Sequence, residues 1–161
     1  MKMGVTGHQN LGGAKVIDWL REELSKIVQG DLVDQAYSSL AIGADQLFAE
    51  ICLENSIDTI AVIPCSNYEK TFTNQHLAAF DTLLSKSQKI IHLDYPSPSE
   101  EAFLNAGQYI VDCVDMICAV WDGEPAKGTG GTADIVTYAR SKNKIIIHLN
   151  PKTYQINYYG K

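Results

Sequence analysis

The stretch Val120-Trp121-Asp122-Gly123-Glu124-Pro125-Ala126-Lys127-Gly128-Thr129-Gly130-Gly131-Thr132-Ala133-Asp134 decides how the rest of the chain is read. Before it, Met116–Val120 is a continuous apolar run with the length of a buried strand; after it, a helical pattern begins near Thr132. A strand running through glycines into a helix leaves the first helical N–H groups unpaired and pointing at whatever occupies the turn, an arrangement that suits phosphate. A plain surface loop has the same composition, so neighbouring segments must separate the two readings.

Two more strand ends carry small-residue turns. Met3-Gly4-Val5-Thr6 reads as a short strand and Gly7-His8-Gln9-Asn10-Leu11-Gly12-Gly13 leads into an amphipathic helix. In that helix Val16, Ile17, Leu20, Leu24, Ile27 and Val28 recur at helical spacing, with Arg21, Glu22 and Lys26 on the other face and Gly30 as a stop. Residues 32–39 are strand-like, and Leu40-Ala41-Ile42-Gly43-Ala44-Asp45 then turns into a helix carrying Leu47, Phe48, Ile51 and Cys52. In a parallel α/β sheet such turns share one edge, where ligands bind. Three turns would then face one cleft.

The alternation continues. Residues 59–63 form a strand ending at Pro64, and 66–87 a helix with a break near Thr73-Asn74. A short strand covers 89–93. Ser97-Pro98-Ser99-Glu100 starts a helix that runs to about Val114, with Ser97 as the cap. Residues 133–141 are helix and 144–148 strand, and the tail from Pro151 holds Tyr154, Tyr158 and Tyr159. The expectation is a Rossmann-like three-layer α/β sandwich with a mainly parallel central sheet.

With 161 residues, 45% hydrophobic and 20% charged, the chain suits a single domain with one sizeable core. It has no apolar run of membrane-spanning length and goes directly into a strand without a signal-peptide pattern, so a cytoplasmic protein with no membrane partner is expected. Cys52, Cys65, Cys113 and Cys118 lack C-x-x-C spacing and read as small hydrophobes; His8, His76, His92 and His148 lack paired ligand spacing. No metal and no cofactor is expected. The formal charge of −6, scattered lysines and only two arginines, Arg21 and Arg140, argue against clustered phosphate neutralisation, so no nucleic-acid partner is expected.

The segments GVTGHQNL (4–11), SSLAIGADQLFAE (38–50), AVIPC (61–65) and VWDGEPAKGTGGTADIV (120–136) resemble the SLOG superfamily, the Rossmann-like group that includes DNA-processing protein A and the "lonely guy" phosphoribohydrolases. The likeness runs from Gly4 to His148. It implies binding of a nucleotide or nucleotide-derived phosphate ligand at the C-terminal edge of the sheet, as a sensor, carrier or binding module. The phosphoribohydrolase branch has the pattern P-G-G-x-G-T-x-x-E. Here Gly128, Gly130, Gly131 and Thr132 take the phosphate-binding part, but the glutamate position is Ile135 and the nearest acid, Asp134, comes one residue early. One helical residue is about 100° of rotation, enough to move a carboxylate off the substrate face.

The candidate ligand-binding set is therefore Gly4, Thr6, Gly7, His8, Asn10, Ala41, Gly43, Asp45, Pro64, Trp121, Asp122, Gly123, Lys127, Gly128, Thr129, Gly130, Gly131 and Thr132. Asp45 and Asp134 are the candidate acid or base should the chain be an N-glycoside hydrolase of nucleoside monophosphates, the alternative function. Both also suit a structural role at a helix start. Trp121 reads equally as a stacking partner for a base or as a core residue under the loop. Family members of this size associate through helix packing, so the resemblance, with the apolar content of the 66–87 and 97–114 helices, gives an expected homodimer or higher even-numbered oligomer.

Overall fold

The computed structural model describes residues 1–30, 32–126 and 131–160. Among them, seven strands form one sheet in the order β4-β3-β2-β1-β5-β6-β7. The strands are β1 (Lys2–Gly7), β2 (Gln35–Ser38), β3 (Asp58–Ile63), β4 (Lys89–His92), β5 (Met116–Val120), β6 (Ile145–Asn150) and β7 (Gln155–Tyr159). The first six run parallel and β7 returns antiparallel to β6. The helices are α1 (Ala14–Gly30), α2 (Ala44–Glu54), α3 (Asn74–Lys86), α4 (Glu100–Cys113) and α5 (Thr132–Ser141), with a 3-10 turn over Tyr68–Thr71. The Rossmann-like expectation holds.

Parallel strands covered on both faces become apolar throughout, and every residue of β5 is buried. Leu20, Leu24 and Ile27 of α1 and Phe48 and Ile51 of α2 pack with Met3, Val5 and Cys118 on one face. Ala106, Ile110 and Val111 of α4 and Ile135, Val136 and Ala139 of α5 pack with Ile60, Val62, Ile117 and Ile146 on the other. Right-handed crossovers impose this division. From β1 to β4 the chain steps one way across the sheet, with its helices on one face; from β5 onward it steps the other way, which reverses the face. The reversal falls between β1 and β5, whose ends are level, Gly7 opposite Val120.

Several local expectations shift. The cap of α4 is Ser99, whose Oγ accepts the N–H of Ala102 at 3.1 Å, rather than Ser97. Ser99 has the extended backbone that a cap needs, and that start phases Ala102, Ala106 and Ile110 onto the sheet. The break expected near Thr73-Asn74 in the 66–87 helix is present, with Phe72 and Thr73 separating the 3-10 turn from α3. The tyrosine-bearing tail forms an edge strand, β7, with Tyr154 edge-on to Trp19 at 5.2 Å between centroids. Tyr68, Phe72, Phe80 and Leu83 join the chain's own interior. The apolar surplus that suggested a contact between copies is thus used within one chain, and on α3 and α4 the large apolar residue left exposed is Phe103. The four cysteines are free, and among the described residues no helix is long and apolar enough to cross a membrane.

Candidate functional site

The reversal of strand order leaves a cleft of about 1030 Å³ above the C-terminal ends of β1 and β5. Crevices at such switch points are where open α/β sheets receive ligands. Thr6 and Gly7 border it from the end of β1, His8 and Asn10 from the loop that follows, Ala41 from the β2–α2 connection, Asp45 from the first turn of α2, and Pro64 from just beyond β3. Trp121, Asp122, Gly131 and Thr132 border it from the β5–α5 connection. Lys127, Gly128, Thr129 and Gly130 lie outside the described residues.

The remaining sequence candidates stand elsewhere. Gly4 is buried beneath α4, where an added Cβ would come within 2.5 Å of Ile110 Cγ2; its place is explained by close helix–strand packing. Gly43 begins α2 with φ 90° and ψ −121°, and an added Cβ would lie 2.3 Å from Gln9 O and 2.4 Å from His8 O. The Ala44 N–H donates to His8 O at 3.1 Å. The start of α2 is therefore filled by the first loop, so two of the three glycine turns are tied together rather than standing side by side. Gly123, with φ 85°, turns the chain in open space. Asp134 does not border the cleft, whereas Ile135 does.

The start of α5 is different. The Asp134 and Ile135 N–H groups turn back to Gly131 O at 3.1 and 3.3 Å, while those of Thr132 and Ala133 meet no acceptor among the described residues. Both residues border the cleft. The positive end of the helix dipole thus carries two amides that have no acceptor among the described residues.

Beside them, Asp122 gathers the rim. Its Oδ1 accepts the Glu124 N–H at 3.0 Å and its Oδ2 pairs with Lys152 Nζ at 3.0 Å. His8 Nε2 lies 3.2 Å from Oδ1 and 3.1 Å from the Asp122 backbone N–H, so this nitrogen accepts from the amide in one tautomer and donates to the carboxylate in the other. Partial burial pushes the Asp122 carboxyl up, but the Glu124 N–H, Lys152 and His8 outweigh it and bring its pKa down to about 2. Trp121 packs partly as a core residue, on the α4–α5 core, and also borders the cleft. Its Nε1–H holds Glu124 O at 2.8 Å.

Asp45, 8% exposed, occupies the far wall. Its Oδ2 accepts the Ser39 N–H at 3.1 Å, so it stitches its own loop rather than capping α2. Burial drives its pKa up to about 7 despite the donors from Ala41, Ser39 and Ser38. A carboxyl that changes charge near neutrality in a cleft is a candidate functional group. Tyr68, Phe72, Phe103 and Lys152 also border the cleft and were not singled out from the sequence. One signal pointed to the first two. Pro64 ends a strand at this same edge, so the segment following it has to pass the cleft.

No family sequence model matches the chain, and no curated protein sequence does. Among solved structures it is similar to DNA processing protein A from Streptococcus pneumoniae (17% identity, TM-score 0.64) and from Helicobacter pylori (17%, 0.65). These matches cover 91% and 92% of this chain but 49% and 64% of those proteins, so the chain spans about half to two thirds of their length. A molybdenum cofactor binding protein from Rippkaea orientalis is similar at 14% identity and TM-score 0.59, over 92% of this chain and 76% of that one.

The Helicobacter protein binds single-stranded DNA, which overturns the expectation drawn from net charge that nucleic acid is no partner. Net charge is a global sum, whereas a backbone-binding surface is local. In this chain Arg140 lies over the Tyr159 ring and Lys142 over the Tyr138 ring, both at or just beyond the end of α5. The chain has the SLOG-type fold of these proteins.

Proposed function

We propose that the chain binds a nucleotide-derived phosphorylated small molecule in the cleft, with its phosphate at the start of α5 and its sugar toward Thr6 and Asp45. The observation that carries this reading is that the N–H groups of Thr132 and Ala133, both residues bordering the cleft where the strand order reverses, have no acceptor among the described residues. A molybdenum cofactor binding protein with the same fold supports a small-ligand role. Thr132→Pro tests it. Proline is tolerated at the first helical position and Gly131, at φ −71° and ψ 171°, already has the backbone that precedes proline, so the change deletes one amide donor and one hydroxyl while sparing the helix. A hydrogen bond to a charged group contributes about 1.5–3 kcal/mol, so affinity for AMP or ribose 5-phosphate falls roughly ten- to a hundredfold. Isothermal titration measures it; unchanged affinity in a folded variant removes phosphate from α5.

A second reading is favoured by one feature, the raised pKa of Asp45 inside the cleft. A carboxyl raised by burial keeps its proton closer to neutral pH than an ordinary aspartate, as a general acid requires. In an N-glycoside hydrolase, Asp45 would protonate the departing base while water adds to C1′ of the sugar, giving free base and ribose 5-phosphate. The binding reading expects nucleoside monophosphates to stay intact. Chromatography after overnight incubation decides: steady release of base by the natural chain, lost in Asp45→Asn, establishes the hydrolase.

A further inference from the structure

We infer that Tyr68 determines specificity in this cleft, reading the edge of a flat heteroaromatic group, a nucleobase, held at the end of the cleft away from α5. The inference rests on the proposed nucleotide-derived occupant and concerns its other end. Tyr68 is 4% exposed, yet its hydroxyl has no hydrogen-bond partner among the described residues. Thr59 Oγ1 is the one side-chain atom among them that is both sealed from solvent and unpaired, so the Tyr68 hydroxyl is not sealed, and the cleft is the open space that Tyr68 borders. A hydroxyl left without a partner in so buried a residue is costly unless something in that space completes it.

The ring is held for the purpose. Phe72 and Phe80 meet it edge-on at 5.1 and 5.6 Å, and Phe103 lies tilted at 6.1 Å. Burial, with the nearby Asp45 charge and Cys65, raises the phenol further above its ordinary range, so the group stays a donor. Asp45 stands close by with one oxygen on the Ser39 N–H. The walls of the cleft include the apolar side chains of Pro64, Phe72, Pro98 and Phe103, with Thr71 and Ser99 beside them. Among the described residues no lysine or arginine borders this end, whereas Lys152 stands beside Asp122. Of the charged groups among these residues, a phosphate at this end would meet the Asp45 carboxyl. A planar ring with apolar faces and hydrogen-bonding edges matches both the walls and the Tyr68–Asp45 pair.

Isothermal titration of the full chain with AMP, GMP, CMP and UMP, the four matching nucleosides and ribose 5-phosphate tests the assignment. At least one monophosphate binds about tenfold or more tightly than ribose 5-phosphate, the gain coming from base contacts. Tyr68→Phe keeps the ring and lowers affinity for that nucleotide about three- to tenfold, the range of one neutral hydrogen bond, with ribose 5-phosphate changed less than twofold. Phe103→Ala, at a residue 37% exposed, removes a wall of the cleft and gives the same selective loss. Equal binding of ribose 5-phosphate and every nucleotide, binding of none of the probes, or a Tyr68→Phe loss shared by ribose 5-phosphate overturns the inference. Nucleosides that bind as tightly as their monophosphates, and weaken in Tyr68→Phe, leave Tyr68 in place and remove the phosphate from the proposed function.

Discussion

Gly43→Ala costs about 3–5 kcal/mol of folding stability, enough to lower the melting temperature by roughly 10 °C in a chain of this size. Two effects add. The backbone at φ 90° and ψ −121° is open to glycine and strained for any L side chain. The new methyl would also sit 2.3 Å from Gln9 O and 2.4 Å from His8 O. Those atoms belong to backbone that is itself anchored, by the Ala44 N–H on His8 O at 3.1 Å and the His8 N–H on Val120 O at 3.0 Å, so they cannot step aside cheaply. Gly123→Ala is the internal control. Its φ is 85° but an added Cβ meets nothing within 4 Å, so only the backbone strain of about 1–2 kcal/mol applies. Urea unfolding of the two variants separates strain from collision; equal losses would show that the contact with the first loop carries no energy.

Asp45→Asn flattens the pH dependence of stability and raises stability at pH 8. The folded carboxyl, at about 7, holds its proton above the unfolded value of 3.8. As pH rises between these two values the unfolded chain releases the proton first, so stability is lost through that window and levels off above pH 7. The unfavourable direction is upward in pH, opposite to that of a carboxylate held by an ion pair. A separation of roughly three pH units corresponds to about 4 kcal/mol at most, with a slope near 1.4 kcal/mol per unit. Asparagine keeps an oxygen for the Ser39 N–H and has no proton to lose. Urea midpoints at pH 5, 6, 7 and 8 read the effect. A natural chain no less stable at pH 8 than at pH 5, with Asp45→Asn unchanged relative to it, would show that this carboxyl ionises freely.

The architecture was legible because its signals are local. Met116–Val120 is apolar at every position, as a strand covered on both faces must be, and α1 carries its buried stripe at 3.6-residue spacing. What escaped depends on partners far along the chain. Two serines flank Pro98, and only the phase of α4 against the sheet selects Ser99. β7 has a weak alternation, one half-buried residue among exposed ones, and exists because β6 offers it an edge. Gly43 reads from its neighbours as a ligand-facing turn, while the atoms that demand a glycine belong to Gln9 and His8. The cleft shows the same division. Turn residues such as Thr6, Asp45 and Thr132 border it from strand ends that the sequence marks, whereas Tyr68, Phe103 and Lys152 arrive from three separate connections with no shared motif.

The two tryptophans differ in a way that matters for watching the molecule at work. Trp19 on α1 is set against Tyr154 and the interior of the α1–α2 face. Trp121 stands at the rim of the cleft, its indole N–H fixed to Glu124 and its ring 5.3 Å from that of His148. A ligand bound as proposed would change the polarity around one indole and leave the other as it was. The natural fluorescence would then report occupancy against an internal reference, with no dye attached near the site.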